Sequence, residues 1–327
     1  MSILQVKDLH IAYSTQAGPV PAVRGVNLDV ERGEVVGLAG ESGCGKSTIA
    51  GAILRLLPKD TKVEGQILME GEDILGMAWG RLRAVRWAEA SIIFQGALHG
   101  LNPVQRVGDQ IAEAILIHDS KKSEKAALSR ANELIEQVKL PARRARDYPH
   151  ELSGGQKQRI MIAMALACDP KMVIADEPTT ALDVMVQAQV LNLLKDLQRD
   201  LGLSMIFITH DLSVLVDHCD KIAVMYAGKI VEEGPAEAVF ETPRHPYTKA
   251  LGAAFPEIGD LTYRMSPTGL GGDPPDPMLI PSGCSFHPRC PEAFAGCPSR
   301  EPSLYPSGEN RHSACLLVDE ENNKAAT

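Results

Sequence analysis

One stretch of the sequence decides the fold: Gly40-Glu41-Ser42-Gly43-Cys44-Gly45-Lys46-Ser47-Thr48. It has the pattern G-x-x-x-x-G-K-S/T and lies between an apolar, strand-like run at residues 35–39 and a helical pattern, which is the context that the motif requires. Glycines allow the backbone to curl so that successive N–H groups point at nucleotide phosphates, and the start of the helix adds positive potential. We therefore predict that the whole stretch binds ATP, with Lys46 as a compact cation and Ser47 as a ligand of Mg²⁺.

A pair of acids ends a second apolar run, Met172-Val173-Ile174-Ala175-Asp176-Glu177. An acid at the end of a strand beside a phosphate loop can hold Mg²⁺, which is the role predicted for Asp176. The neighbouring Glu177 can polarise a water molecule for in-line attack on the γ-phosphate. On its own such a pair is commonly a solvated turn, and it is the phosphate loop that favours a catalytic site here.

The pattern along the chain changes twice. Up to about residue 234, strand-like runs alternate with helical patterns, which predicts a layered α/β fold with a largely parallel sheet, interrupted by a helical insertion at residues 96–167. Residues 222–226 and 230–232 predict a hairpin with a Gly-containing turn. More than half of the 22 prolines lie beyond Pro235, which excludes long helices there. The polar residues 319–327 are expected to be disordered.

Bulk properties exclude some classes of protein. The chain of 327 residues is long enough for a large core and a smaller appendage, and its 44% hydrophobic and 23% charged residues are typical of a globular protein. A net charge of −9 argues against nucleic acid as a partner. Neither a signal peptide nor a membrane span is indicated, so we expect a cytoplasmic protein that reaches a membrane through other subunits.

A third motif resembles that of a known protein family. The stretch Leu152-Ser153-Gly154-Gly155-Gln156-Lys157-Gln158-Arg159 resembles the signature sequence of ABC-transporter ATPases. The resemblance covers roughly residues 3–255, and the family's elements follow one another in the expected order: Tyr13, the phosphate loop, Gln95, the signature, Asp176-Glu177, Ala181-Leu182-Asp183 and His210.

The resemblance implies roles for residues that mean little alone. It implies that Tyr13 stacks on adenine, that Gln95 senses Mg²⁺ and the attacking water, and that His210 contacts the γ-phosphate, with Glu177 as their catalytic companion. It also implies that the signature completes the ATP site of a facing subunit, so that hydrolysis requires a dimer. The residues implied to act in trans are Ser153, Gly154, Gly155 and Gln156.

One departure from the family pattern follows Gln95. Where relatives are expected to read Gln-Asp-Pro or Gln-Glu-Pro, this chain reads Gln95-Gly96-Ala97-Leu98-His99-Gly100. The glutamine is present and the acid is missing, which puts in doubt the surface on which a membrane subunit would dock.

Four of the seven cysteines crowd the tail, namely Cys284, Cys290, Cys297 and Cys315. Five, six and seventeen residues separate them, unlike the short C-x₂₋₄-C spacing of structural zinc, so spacing alone leaves an iron–sulfur cluster, zinc, and free or disulfide-bonded cysteines open. Residues 245–251, His-Pro-Tyr-Thr-Lys-Ala-Leu, resemble the start of the C-terminal extension of dipeptide, oligopeptide and nickel importer ATPases. That resemblance implies that the cysteines hold a 4Fe–4S cluster, which would stabilise a tail with little core.

Taken together, the resemblance implies an ABC-type ATPase domain at residues 1–235, with a helical subdomain at about 97–167, and a small, irregular, Cys- and Pro-rich extension at 236–327. The expected function is ATP hydrolysis that powers an importer of dipeptides or oligopeptides. Nickel chelates, glutathione and oligosaccharides are the alternative solutes, and a soluble ABC ATPase acting on ribosomes or DNA is the competing class. The implied partners, at the cytoplasmic face of the membrane, are a second, distinct ATPase subunit, two transmembrane permease subunits and, indirectly, an extracytoplasmic solute-binding protein.

Overall fold

The computed structural model describes residues 2–96, 100–254 and 270–325. Its strands are β1 (Ser2–Thr15), β2 (Gly18–Glu31), β3 (Val35–Ala39), β4 (Lys62–Met69), β5 (Glu72–Asp73), β6 (Ala90–Ile93), β7 (Met172–Asp176), β8 (Ser204–Thr209), β9 (Lys221–Tyr226), β10 (Lys229–Pro235), β11 (Tyr305–Gly308) and β12 (Arg311–Ser313). Its α-helices are α1 (Lys46–Ile53), α2 (Trp79–Val85), α3 (Val107–His118), α4 (Glu124–Gln137), α5 (Gly154–Ala165), α6 (Val184–Leu201), α7 (Leu212–His218), α8 (Ala236–Glu241), α9 (Pro246–Ala253) and α10 (Leu316–Ala325).

These elements form two compact units. The first contains residues 31–34 and 76–208, and the second contains residues 2–30, 35–75 and the described residues from Thr209 onward. The phosphate loop and the C-terminal extension therefore belong to the same unit. The division of the chain at residue 235 stays a prediction, because compactness groups residues by contact and not by chain order.

The first unit carries parallel strands and helices. Strands β6, β7 and β8 pair in parallel, with Ala90 opposite Met172 and Met172 opposite Ser204. All five residues of β7 are buried, so the run that ends in Asp176 is a central strand of the core, as its apolar character predicts. Helices α3, α4 and α5 pack on one another through fully buried residues such as Ile111, Leu134 and Ile160.

The second unit holds the phosphate loop between β3 and α1. Strand β3 is buried along its length and pairs in parallel with β9, and β9 pairs antiparallel with β10, which confirms the predicted hairpin. Its turn places Ala227 and Gly228 at positive φ angles of 46° and 82°. Strands β1, β2, β4 and β5 form a separate sheet, in which β4 pairs antiparallel with both β1 and β5. Helix α1 ends at Ile53, and Arg55 shortly after it takes the left-handed conformation with φ 49°, which cannot continue the helix.

The extension is built onto this second unit. Strand β12 pairs antiparallel with β10, where Glu232 lies opposite Ser313, and β11 pairs with β12. Glu232, on β10, is fully buried. Its carboxylate accepts hydrogen bonds from Arg311 and from the backbone N–H groups of Arg244 and His245, at 2.6, 2.8 and 2.9 Å. This buried ion pair joins three separate stretches of the chain.

One expectation about the tail was wrong. Helix α10 includes Asp319 and the residues up to Ala325, which the polar sequence predicts to be disordered. The helix is held because Leu316 and Val318 are buried and because Asp319 accepts a hydrogen bond from Arg300 at 3.0 Å. In the described part of the chain, no helix is both long and apolar enough to span a bilayer.

Candidate functional site

The phosphate loop has the backbone of an anion receptor. Gly40, Gly43 and Gly45 have φ angles of 147°, 81° and 109°, and a Cβ atom on Gly45 would lie only 2.4 Å from the carbonyl oxygen of Ala22. Gly45 is also the N-cap of α1, and because glycine has no side chain, no side-chain oxygen closes this end of the helix. The Lys46 ammonium donates to the Gly40 and Glu41 carbonyl oxygens at 2.7 and 2.9 Å. The loop is thus curled around its own lysine.

Two further predicted ATP-binding residues meet at the far end of the loop. The Tyr13 hydroxyl lies 3.1 Å from the Thr48 hydroxyl, and the Tyr13 side chain is half-buried. The structure therefore brings the aromatic ring to the loop that is expected to bind the phosphates.

His210 is exposed directly after β8.

The predicted catalytic pair is assembled in the first unit. The Gln95 amide donates to Oε2 of Glu177 at 2.7 Å, although the two residues are far apart in the sequence. The Thr180 hydroxyl donates to the same oxygen at 2.9 Å. Glu177 follows β7 with φ 45°, a strained left-handed conformation for a residue with a side chain. Asp176, the last residue of β7, is only 6% exposed. The site therefore holds one Glu177 carboxylate oxygen in place through two donors.

The signature residues start a helix that caps itself. Ser153 is the exposed N-cap of α5, and its hydroxyl accepts from the Gln156 backbone N–H at 3.4 Å. The Gln156 side chain returns the bond by accepting from the Ser153 N–H at 3.0 Å. This reciprocal pair is a capping box, which satisfies two of the donors that a helix start leaves unpaired.

The extension reaches the phosphate loop at Glu41. The Tyr247 hydroxyl accepts from the Glu41 backbone N–H at 2.8 Å. The Arg289 guanidinium donates to both carboxylate oxygens of Glu41, at 2.7 and 2.9 Å, and these bonds raise the pKa of Arg289. Tyr247 is held by the start of α9, where Nδ1 of His245 accepts from its backbone N–H at 3.0 Å. Burial lowers the pKa of His245 to about 4, so the imidazole is neutral at pH 7.

The tail cysteines lie close together. All four line one small pocket, and none forms a disulfide. Burial raises the pKa of the Cys290 thiol to about 11 and also raises the pKa values of Cys284 and Cys315. Nevertheless, no three or more His, Cys, Asp or Glu side chains of the described residues are arranged to hold a metal ion. The fold brings the thiols to one pocket without placing them in a ligand geometry.

Comparisons with known proteins find relatives over almost the whole chain. The family model for the ABC transporter matches residues 23–180, and the model for the oligopeptide/dipeptide transporter C-terminal region matches residues 231–297. The dipeptide transport ATP-binding protein of Bacillus subtilis is 43% identical over 97% of this chain and 95% of its own length. The oligopeptide transport ATP-binding protein of Escherichia coli is 43% identical over 98% of this chain and 94% of its own.

The chain belongs to the ABC transporter ATP-binding proteins of the oligopeptide/dipeptide importer family. This ABC ATPase also resembles solved cassettes. A dimeric ATP-binding cassette in a post-hydrolysis state with ADP and Pi has 28% identity and a TM-score of 0.64, covering 71% of this chain and 98% of that one. The cassette cbiO1 from Clostridium perfringens, part of an ABC transporter complex, has 30% identity and a TM-score of 0.63 over 74% of this chain and 92% of its own. The expected fold and the ATP-hydrolysing activity are confirmed.

Sequence reasoning missed three residues of the candidate site. Thr180 has no signal beyond its position shortly after Glu177. Tyr247 lies in a stretch that the sequence marks as a family feature, but nothing in that pattern indicates that it contacts the phosphate loop. Arg289 precedes Cys290, and only the folded chain brings it to Glu41. The position of the missing acid after Gln95 is taken by Gly96, which is half-buried with a φ angle of 79°, and a Cβ atom there would meet no atom within 4 Å. The next three residues, 97–99, lie outside the described residues.

Proposed function

We propose that this ABC ATPase powers the import of dipeptides or oligopeptides. The observation that carries the proposal is the similarity to dipeptide and oligopeptide transport ATP-binding proteins over almost the whole chain, extension included. The partners in this proposal are a second, related ATPase subunit, two transmembrane permease subunits and an extracytoplasmic solute-binding protein, with this chain at the cytoplasmic face of the membrane.

In the proposed nucleotide site, the phosphate loop binds the ATP phosphates through its N–H groups and Lys46, while Tyr13 stacks on adenine. The start of α1, where the N-cap Gly45 provides no side-chain hydrogen bond, suits an anion. The Asp176 carboxylate and the Ser47 hydroxyl are oxygen donors of the kind that Mg²⁺ prefers, and Gln95 would join them. When bound, Mg²⁺ would neutralise charge on the transferring phosphoryl group.

In the proposed catalytic step, Glu177 takes a proton from the attacking water. Gln95 and Thr180 both donate to Oε2 of Glu177, so they orient the carboxylate. His210 would donate a hydrogen bond to the γ-phosphate. Ser153, Gly154, Gly155 and Gln156 would contact the ATP of the facing subunit, which makes the dimer the active species.

The experiment that tests the catalytic assignment is Glu177→Gln in the transporter assembled in lipid vesicles. We expect the ATPase rate to fall by at least roughly 100-fold with ATP binding retained, because the amide cannot accept the proton. Glu136→Gln, an exposed position on α4, is the matched control and should keep the normal rate. Normal turnover of the Glu177 variant would refute its role as the base.

The solute is tested in the same vesicles with the binding protein supplied. We expect labelled dipeptides or short oligopeptides to accumulate in an ATP-dependent manner. Accumulation of a nickel chelate, glutathione or an oligosaccharide, with no peptide transported, would overturn the peptide assignment.

We also propose that Cys284, Cys290, Cys297 and Cys315 hold a 4Fe–4S cluster. The residues fit the group in kind, since four thiols free of disulfides line one pocket and two of them, Cys297 and Cys315, are only 8% exposed. A cluster would cross-link separate stretches of a proline-rich tail, which is a structural role.

The test of this ligand set is the absorption spectrum and the metal content of protein purified without oxygen. A brown protein that contains iron and sulfide is expected, and it should lose its colour in Cys290→Ser but keep it in Cys168→Ser, which changes a cysteine outside the set. A colourless protein with one zinc ion would show that zinc is the metal.

A further inference from the structure

Glu41, the second residue of the phosphate loop, is fixed through three of its polar groups. Its carbonyl oxygen accepts from Lys46 at 2.9 Å, which is a contact inside the loop. Its backbone N–H donates to Tyr247 at 2.8 Å, and its carboxylate accepts two bonds from Arg289 at 2.7 and 2.9 Å. Two of the three anchors therefore come from the extension, over sequence separations of 206 and 248 residues.

The Tyr247 anchor is rigid. The side chain is fully buried, and its ring packs against those of Tyr226 and Phe286 with centroid distances of 4.7 and 5.4 Å. Its backbone is held by His245, whose own N–H donates to the buried Glu232 carboxylate at 2.9 Å. A phenol supported in this way presents its oxygen at a fixed position, so it fixes the Glu41 peptide too.

The Arg289 anchor is strong for an ion pair on a loop. The two parallel N–H···O bonds form the planar fork that a guanidinium makes with a carboxylate, and the Arg289 side chain is only 7% exposed. Its Nε donates to the Gly271 carbonyl at 3.0 Å, and its guanidinium lies 5.8 Å from the centre of the Tyr226 ring. Burial limits screening by solvent, so this pair differs from exposed pairs, which contribute little.

From these contacts we infer that the extension positions the phosphate loop, with Tyr247 and Arg289 as positioning residues that act through Glu41. The inference depends on the proposed binding of ATP phosphates by the loop. The loop needs outside support because its backbone takes left-handed conformations at Gly40 and Gly43, which an unsupported chain adopts only part of the time. Holding the Glu41 peptide from both sides keeps the following N–H groups in the arrangement that ATP requires, so ATP does not have to order them.

The opposing view is that the same contacts only fasten the extension to the ATPase. In that case the loop would keep its shape without them, and nucleotide affinity would not depend on Tyr247 or Arg289. The two views differ in whether removing an anchor weakens ATP binding. They also differ in whether that weakening requires the Glu41 side chain.

The test is the dissociation constant of a fluorescent ATP analogue with Mg²⁺, measured on the full chain. We expect Arg289→Gln to weaken binding roughly tenfold, as a lost charge-assisted fork would, and Tyr247→Phe, which removes only the hydroxyl, to weaken it about threefold. The matched control is Arg300→Gln, which breaks another ion pair of the extension, with Asp319 at 3.0 Å, and should keep the wild-type constant. Arg289→Lys, which keeps the charge without the fork, should recover part of the loss.

A double-mutant cycle separates positioning from general stability. If Arg289 acts through Glu41, then Arg289→Gln should cause little further loss in a Glu41→Gln background. Equal losses in both backgrounds, or wild-type affinity in both Arg289→Gln and Tyr247→Phe, would overturn the inference. If Arg289→Gln does not fold, Tyr247→Phe decides the question, because it is nearly isosteric.

Lys46→Ala distinguishes failure of this inference from failure of the proposed nucleotide site. If Lys46→Ala abolishes binding while the anchor variants bind normally, only the positioning role is lost. If Lys46→Ala binds normally, the loop is not the phosphate site and both proposals fail.

Discussion

Two helices of this ABC ATPase begin at residues expected to contact ATP, and they begin differently. Helix α1 starts after Gly45, which has no side chain, so the N-cap residue itself gives the first N–H groups no hydrogen bond. Helix α5 starts after Ser153, whose hydroxyl and backbone N–H are both bonded to Gln156. The start of α1 is therefore suited to receive an anion, whereas the start of α5 satisfies part of its own hydrogen bonding.

The two helix starts differ in the support that they need before ATP binds. An uncapped start needs support from elsewhere, and the phosphate loop receives it from Lys46 within and from Tyr247 and Arg289 outside. The capped start needs no such support and can remain exposed until the ATP of a facing subunit arrives. This is what the proposed action in trans demands of it.

The largest expected effect comes from removing the cation of the loop. Lys46→Ala should weaken MgATP binding by at least roughly 100-fold, because the loop loses the group that neutralises phosphate charge and also the bonds that hold Gly40 and Glu41. Titration calorimetry of the full chain measures it. Lys59→Ala, at an exposed position in the described structure, is the control and should bind normally.

A smaller effect is expected from adding one methyl group to each helix start. In Gly45→Ala the new Cβ would approach the Ala22 carbonyl oxygen to 2.4 Å at a φ of 109°, so the free energy of unfolding should fall by about 1–3 kcal/mol. In Gly154→Ala the new Cβ would meet Leu182 at 3.5 Å, an ordinary contact, and the change should stay within about 0.5 kcal/mol. Denaturant unfolding of both variants measures the contrast.

The same pair of variants also separates the two sites. ATP binding to the isolated full chain should be weaker in Gly45→Ala and normal in Gly154→Ala, because in the proposed function only the phosphate loop binds the chain's own nucleotide. Equal stability and equal binding in both variants would show that the two helix starts do not differ in the way the structure indicates.

Much of this contrast could be predicted from the sequence, because the determinants are local. The phosphate loop and the buried strand β7 each lie within a few consecutive residues, and so does the signature stretch. The capping of Ser153 by Gln156 follows the same short-range logic, since a Ser followed three residues later by Gln is a known helix start. Local motifs carry their own geometry into the fold.

What could not be predicted depends on residues that are distant in the sequence. Glu41 meets Tyr247 and Arg289 across more than two hundred residues, and no pattern within one sequence indicates which arginine will find which carboxylate. Helix α10 was missed for the same reason: its residues are polar, and what stabilises it is the burial of Leu316 and an ion pair between Asp319 and Arg300.

The smallest effect concerns the cap of α5. Ser153→Ala removes the hydroxyl that accepts from Gln156, which should cost about 1 kcal/mol of stability. Ser123→Ala is a matched control, because Ser123 caps α4 by accepting from Ala126 at 3.2 Å and should cost a similar amount. If the signature binds the ATP of a facing subunit, only Ser153→Ala should also lower the ATPase rate of the assembled transporter, by a few-fold. Equal ATPase rates in the two variants would show that Ser153 acts only as a helix cap. The difference between the two helix starts would then affect folding and not catalysis.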